Sequence, residues 1–361
     1  PGWDFISGKQ PDFGKNGWLD RIAEKGWISA NCYFNKEMLQ KKSNTIGAKL
    51  KIEPVRDFNI DLNIDRNFTR DHAETFKLDS VFGTNQMAFQ HFTPFENGQY
   101  TISYVSLQTI FEKDIDKVFK RFSDNRPVIS KRVADRYGIK NVSPFNPEYS
   151  DGFQGDHIDV VTPAFLAAYT GQDPNSFNLD LFNTIPLPNW QINYSGLARL
   201  PKLKDIFQDL SIRHGYKNTL TINSFRTNLD YRTNTNELPI SRRGNELKAS
   251  YHSKYEVPEM VINEQFAPLI GVNVKTKSGI ELGLDLNKNR NLKLQNGIEG
   301  QLLETKATNY TIKAGYTIKD YYISWIPGMK ALNKGVKIPK KKKKSKKSEE
   351  QLAANAPKGN D

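Results

Sequence analysis

The side chains able to do chemistry are few and dispersed. The five histidines, at 72, 91, 157, 214 and 252, form no His-x3-His pair, the spacing that puts two imidazoles on one helix face for a metal. Asp156-His157-Ile158-Asp159 has the composition of a metal corner. Polar residues at the head of an apolar run also cap helices, and a loop or capping element is the reading adopted. Asp61 and Asp65 share an alternating face with Asn59 and Asn63. Two carboxylates so placed suit acid–base work, but the asparagines around them point to a hydrated sheet face. His214 falls on the apolar side of its segment, where a hydrogen-bonded contact is expected. No Gly-x-Ser-x-Gly elbow, phosphate loop or dinucleotide fingerprint occurs. The single Cys32 excludes an intrachain disulfide and a Cys-rich zinc module. No catalytic, cofactor-binding or metal-ligating residue is assigned, and no enzyme activity is expected.

One charged feature remains, the run Lys340–Lys347 broken only by Ser345. The 361 residues carry a net charge of +12, but the stretch from Lys330 holds eleven lysines against Glu349, Glu350 and Asp361, or +8. The remaining 329 residues therefore carry +4. Dense positive charge attracts phosphate, yet no aromatic group for base stacking lies between Met329 and Asp361. The run reads as a flexible, self-repelling loop, and no nucleic-acid partner is expected.

The elements that must position all this are strands. Ile46, Ala48, Leu50 and Ile52 alternate with Thr45, Gly47, Lys49 and Lys51; a turn follows at 53–57; then Phe58, Ile60, Leu62 and Ile64 alternate with Asn59, Asp61, Asn63 and Asp65. Period-2 alternation on both sides of a turn predicts an antiparallel pair with one apolar and one wet face. Tyr100, Ile102 and Tyr104 predict another strand, and Trp3 and Phe5 the end of one within 1–8. A short helix is expected over Trp18–Lys25. Between residues 111 and 188 the alternation is lost. Ile115, Val118, Phe119 and Phe122 predict a helix over 113–122, Pro127 opens a second over 128–137, and Thr162-Pro163 caps a third over 164–169, stopped by Gly171. From Asn189 the strands return: Trp190–Tyr194, Leu210–Ile222, Ile270–Val274, the turn Lys277-Ser278-Gly279, Ile280–Leu286 and Tyr310–Ile318. The chain thus divides into strands over 1–110, a helical and loop insertion over 111–188, strands over 189–322, and a lysine-rich loop over 323–361. Both ends look cut from something longer.

Such alternation fits a soluble sandwich, with one face packed and one wet. It also fits an outer-membrane barrel, with one face to lipid and one to a watery lumen. No stretch of about 18 apolar residues occurs, which excludes a transmembrane helix but not a barrel. Mean hydropathy is −0.65, as a barrel that hides half of each strand from lipid allows. Three features favour the barrel: apolar faces free of charge over seven or more residues, strongly charged opposite faces, and short turns alternating with long loops (234–258, 295–303). The expected lipid-facing positions are Ile46, Leu50, Phe58, Ile60, Leu62, Ile64, Ile270, Val272, Val274, Leu282, Leu284, Ile312 and Tyr316. Those expected to face the lumen are Lys49, Lys51, Asp61, Asp65, Lys275, Glu281, Asp285 and Lys313.

Particular wording then carries a resemblance. Pro188-Asn189-Trp190, the stretch 197–207 with Pro201, His214-Gly215-Tyr216-Lys217-Asn218-Thr219 and Asn223-Ser224-Phe225 resemble the SprA/Sov family. So do Phe266-Ala267-Pro268-Leu269-Ile270-Gly271, Gly315–Asp320 and the helical Pro163–Gly171. That family is the outer-membrane translocon of the type IX secretion system, linked to gliding motility. The resemblance implies a segment of a very large antiparallel transmembrane β-barrel with helical insertions, through which folded cargo proteins reach the cell surface. It implies as partners the secreted cargo, a smaller outer-membrane barrel protein, a periplasmic plug protein and outer-membrane lipid. It implies direction as well. Ile312–Ile318 and Ile270–Val274 run inward, Ile280–Leu286 and Phe58–Ile64 outward, and the lysine-rich loop is periplasmic. Trp190–Tyr194 then runs inward, with an even number of spanning strands, zero included, between it and Phe58–Ile64. A secreted all-β binding module with aromatic stacking platforms, or a small-solute outer-membrane transporter, are the alternatives.

Overall fold

The computed structural model of the chain describes residues 3–6, 11–13, 17–84, 86–112, 114–180, 182, 184–234, 236–243, 250–296 and 301–317. The segment 323–361 with its lysine run, and the expected strand position Ile318, lie outside the described residues.

The alternating segments form strands of one antiparallel sheet: β1 (Met38–Val55), β2 (Phe58–Ser80), β3 (Met87–Ser103), β4 (Asn189–Tyr194), β5 (Phe207–Thr227), β6 (Tyr255–Glu256), β7 (Glu259–Thr276), β8 (Ile280–Gln295) and β9 (Gln301–Tyr316). The order is β1-β2-β3-β5-β7-β8-β9, with β4 paired to both β2 and β5 and β6 to β5. Among the described residues β1 and β9 each have one neighbour, so the sheet is open. The expected strands are present but longer; β2 runs sixteen residues past Ile64. The first turn is only Arg56-Asp57. Asp57 takes a left-handed φ of 67°, its N–H donates to Glu53 Oε1 (2.9 Å), and Arg199 clamps its carboxylate at 2.7 Å. At the β7–β8 turn Gly279 has φ 95°. A Cβ there would stand 2.3 Å from the Thr317 carbonyl, so only glycine fits.

β3 and β4 are two halves of one strand. Ile102 pairs with Arg66 and Ser103 with Thr219; Asn189 pairs with Asn63 and Trp190 with Tyr216. Continuing both registers leaves one position vacant, opposite Ile64 and Asn218. The 85 residues 104–188 leave and return through that single position. Side chains complete the ladder around it. Ser103 Oγ accepts the Asp65 N–H (3.1 Å) and Asn189 Oδ1 the Asn218 N–H (2.7 Å), while the Tyr104 N–H donates to the Asn218 carbonyl (3.1 Å). Ile64 and Asn218 share the sheet's apolar face with Leu62, Tyr216 and Leu220, so the chain leaves on that side.

Several helical expectations are corrected. Residues Trp3–Ile6 form a one-turn helix, α1, rather than a strand end; two apolar residues are too few to set a period. The expected helix near Trp18 is α2 (Trp18–Glu24). In the insertion, α3 (Leu107–Ile110) is followed by α4 (Ile115–Arg136), a single helix with Pro127 inside it. Its buried Val118, Phe122, Ile129 and Val133 keep helical phase across the proline. That stripe packs on α5 (Ile158–Thr170) and outweighs the hydrogen bond the ring removes. α5 also starts earlier than expected. His157 is its N-cap, and Thr162 is a buried interior residue. Every residue from Thr162 to Thr170 is buried, as in a helix enclosed on all sides. Gly171, φ 71°, ends it as expected.

α5, α4 and the loop 141–157 cover the apolar face of β3, β5, β7 and β8 through Tyr100, Ile102, Leu220, Ile222, Met260, Ile262, Leu292 and Leu294. Each such side chain contributes roughly 1.5–3 kcal/mol. Beneath this core sits a buried ion pair, Glu264 of β7 with Arg290 of β8 (2.6 Å), both nearly inaccessible. Arg290 reaches Thr109 Oγ1 (2.8 Å) and the Ser106 carbonyl (3.2 Å), and the Tyr216 hydroxyl donates to Glu264 (2.6 Å). The pair therefore bolts the insertion to the sheet. Arg290→Ala strands a buried carboxylate and should weaken docking by about 3–5 kcal/mol. Replacing both partners, Glu264→Leu with Arg290→Leu, should cost far less. Amide hydrogen exchange in α3–α5 reads the difference; equal loss of protection in both variants would exclude the pair as the anchor.

Candidate functional site

The sheet has two faces, and only one changes along its length. Counting the alternation from the registers, the polar face carries Thr45–Lys51, Asn59–Thr69, Asn189–Asn193, Asp209–Asn223, Asn263–Lys275, Glu281–Gln295 and Thr305–Thr317 at odd positions. Outside the 267–269 bulge these positions hold no Leu, Ile, Val, Met or aromatic residue. Asparagine is the commonest, and all eight expected lumen positions lie here. They pair across strands: Lys51 with Asp61 (3.9 Å), Lys313 with Asp285 (3.8 Å), and Lys275 with Glu281. Lys49 stands opposite Asn63, and Asp65 opposite Gly47. Arg213 reaches Asp285 (2.7 Å) across the strand between them, where Gly271 leaves room. A Cβ there would approach Asp285 to 2.6 Å.

The other face is divided. Beyond Arg66 and Arg290 it is covered; between that level and the tight turns it is open and apolar. Ile46, Leu50, Ile270, Leu282, Leu284, Ile312 and Tyr316 are exposed, Ile312 by 78%. Phe58, Ile60, Leu62, Ile64, Val272 and Val274 are half-buried between neighbouring strands. All thirteen expected lipid-facing positions therefore fall in one continuous belt, joined by Ile192, Ile212 and Ile280. Aromatic rings edge it. Trp190 stacks on Tyr216 at 4.5 Å, Tyr216 meets Phe266 at 5.0 Å, and Phe266 meets Phe111 at 5.5 Å along the upper border. Phe58 packs edge-on against Tyr194 at 5.8 Å along the lower. His214 belongs to the upper border, its Nδ1 bonded to the Leu269 carbonyl (2.7 Å).

The scattered polar residues of the sequence resolve into structural roles. Ser253 Oγ lies 3.5 Å from His157 Nε2, and Asp159 Oδ2 3.9 Å from Nδ1, the outline of a nucleophile, base and orienting acid. The tautomer is wrong for it. Nδ1 accepts the Asp159 backbone N–H (3.2 Å), so the proton sits on Nε2 and the ring donates to Ser253. Burial holds His157 below the usual histidine range, keeping it a neutral cap. Among the described residues no three His, Cys, Asp or Glu side chains are grouped to hold a metal ion.

Well above the belt, where the N-terminal segment lies on β2 and β3, a second buried network was not legible in the sequence. Arg70 pairs with Asp12 and Glu96, His72 with Glu74 (2.9 Å), and His91 with Glu74 (2.6 Å) and Asp20 (3.3 Å). α2 packs beside it through Leu19 and Ala23 on Phe76. The only signal was charge in the apolar phase of β2, at 70, 72 and 74. Hydrogen bonding to Glu74, with Glu96 close by, raises His72 to about 9. Against the upward pull of its burial, His72, the Tyr255 hydroxyl and Arg70 hold Glu96 at about 2.

No protein-family model matches the chain and no curated protein matches it, so its function has to be read from this geometry. The network sets a pH dependence. A raised histidine stabilises fully below its ordinary 6.5 and loses this as pH climbs through about 9. A lowered glutamate stabilises above its ordinary 4.5 and loses this as pH falls toward about 2. Protection of segment 11–24 from proteolysis should therefore be greatest between about pH 4.5 and 6.5 and decline on both sides. His72→Asn should shrink the alkaline limb to what His91 contributes and, because His72 also holds Glu96 down, weaken the acid limb; a profile unchanged on both sides would show that His72 does not hold the segment.

Proposed function

We propose that this chain is part of the wall of an outer-membrane protein-conducting β-barrel, of the type IX translocon kind that its wording resembles, and that it acts without enzymatic chemistry. One observation carries the reading. At the same height, seven neighbouring lanes expose apolar side chains on one face and nothing large and apolar on the other. A monomer in water rarely leaves an apolar patch beyond a few hundred Å² uncovered. Lipid on one side and a water-filled lumen on the other satisfy both faces at once. The dimensions agree. Ile280 to Arg290 is ten steps, about 34 Å along a strand, and about 25 Å of height at the usual 40–45° tilt, the thickness of an outer-membrane apolar band.

On this reading the tight turns 56–57 and 277–279 lie at the periplasmic rim, and the long excursions 104–188 and 228–254 lie outside the cell. β4 sits directly beside β2, so no further spanning strand comes between them. The insertion packs on the lipid-side face, where it surrounds the channel rather than plugging it. Secreted proteins would move along the asparagine-rich face, where several charges are paired across strands and no large apolar foothold is offered. The smaller barrel partner and the periplasmic plug follow from the resemblance alone. If the belt were instead covered by a second sheet, as in a secreted binding module, the chain would be soluble without detergent.

Leu284→Arg and Leu62→Arg test this. Each places a charge in the apolar band at a cost of about 2–4 kcal/mol and should abolish recovery of the protein in the outer-membrane fraction. Asn289→Arg, on the polar face, should insert normally. Normal insertion of both leucine variants would overturn the membrane reading.

A further inference from the structure

The insertion meets the belt along a defined edge. α3 packs through Ile110 on Tyr216 and Phe266, and Val105, Leu107 and Trp190 are half-buried against the same cluster. The next residue, Phe111, remains 51% exposed. Its ring packs on Phe266, and the Lys288 ammonium lies 4.4 Å from its centre. Lys288 is the first residue on that face above Leu286, the last apolar belt position of β8. The apolar surface of the belt thus continues without a break from the sheet onto the underside of the insertion.

The first charges above the belt are mostly cationic, although Glu112 follows Phe111 directly. Above the belt, the first charged residue on the apolar face is Lys42 in β1, Arg66 in β2, Lys288 in β8 and Lys306 in β9. Lys42 and Lys306 also touch Asp12 and Glu304. In β7 it is Glu264, which is fully buried against Arg290. An aromatic residue half out of an apolar layer, with lysine and arginine stems rising beside it, is the arrangement side chains adopt at a membrane–water boundary.

Resting on the membrane reading above, we infer that the underside of the insertion, centred on Phe111, is a foot seated among the phosphate-bearing headgroups of the outer leaflet. The occupant is lipid rather than a protein partner, because the surface is continuous with the belt and its cationic edge complements phosphate. The foot makes the insertion a peripheral membrane element in its own right, held both by the sheet and by the leaflet beneath it.

The photocrosslinking residue p-benzoylphenylalanine, placed singly at Phe111, Leu284 or Phe145 in the complete gene product in cells, tests this by mass spectrometry of the irradiated protein. Lipid adducts at positions 111 and 284 but not at 145, an exposed site in the loop 141–157, are the expected result. An adduct at 284 with none at 111, or a protein crosslink at 111, overturns the foot and leaves the membrane reading intact. A lipid adduct at 145 as strong as at 111 overturns the foot as well. Absence of lipid at 284 overturns the membrane reading and the foot with it.

Discussion

A strand can be interrupted by 85 residues only if the chain returns to the ladder where it left. That constraint shapes this molecule. The two halves of the β3–β4 lane keep the same register against β2 on one side and β5 on the other, with one position missing between them. The neighbouring amides are not orphaned, because Ser103, Asn189 and Tyr104 supply the partners. Buried backbone groups left unpaired would cost several kcal/mol here. Once the neck is fixed on the apolar face, the insertion has one surface to pack against, and the Glu264–Arg290 pair sets its height.

The same strands then serve two environments. Along β8 the apolar phase reads Ile280, Leu282, Leu284 and Leu286 in the open belt, then Lys288 and Arg290, then Leu292 and Leu294 under the insertion. Nothing in the strand's own geometry changes between the two. The polar phase, Glu281 to Gln295, never changes character. The division lies in what covers the sheet, and the row of charges at 288–290 marks the border.

The faces and the tight turns could be read from the sequence because period-2 alternation is local. The upper halves of the strands could not. In β2 the apolar phase carries Arg70, His72 and Glu74, which look like solvent-facing residues until their partners from Asp12 and Glu96 are in place. Pro127 and Thr162 mark helix boundaries by local rules, but packing against α5 and the sheet overrode both. The continuity of β3 with β4 has no local signal at all, since it depends on pairings between residues more than a hundred positions apart. Glu264, in phase with Met260, Ile262 and Phe266, was a legible clue to a buried pair. Its partner Arg290 sits in the same phase of the next strand.

The neck at Ser103 and Asn189 also bears on the order in which the chain assembles. Closing an 85-residue disordered loop to a one-residue gap costs about 4 kcal/mol of chain entropy on the (3/2)RT ln n scaling, before β4 contributes its six residues of ladder. A folded insertion whose ends already lie side by side removes most of that cost. If the insertion formed first, the short strand β4 would be set down beside β2 and β5 with its register already fixed. On that order the helical excursion would act as a clamp on the sheet.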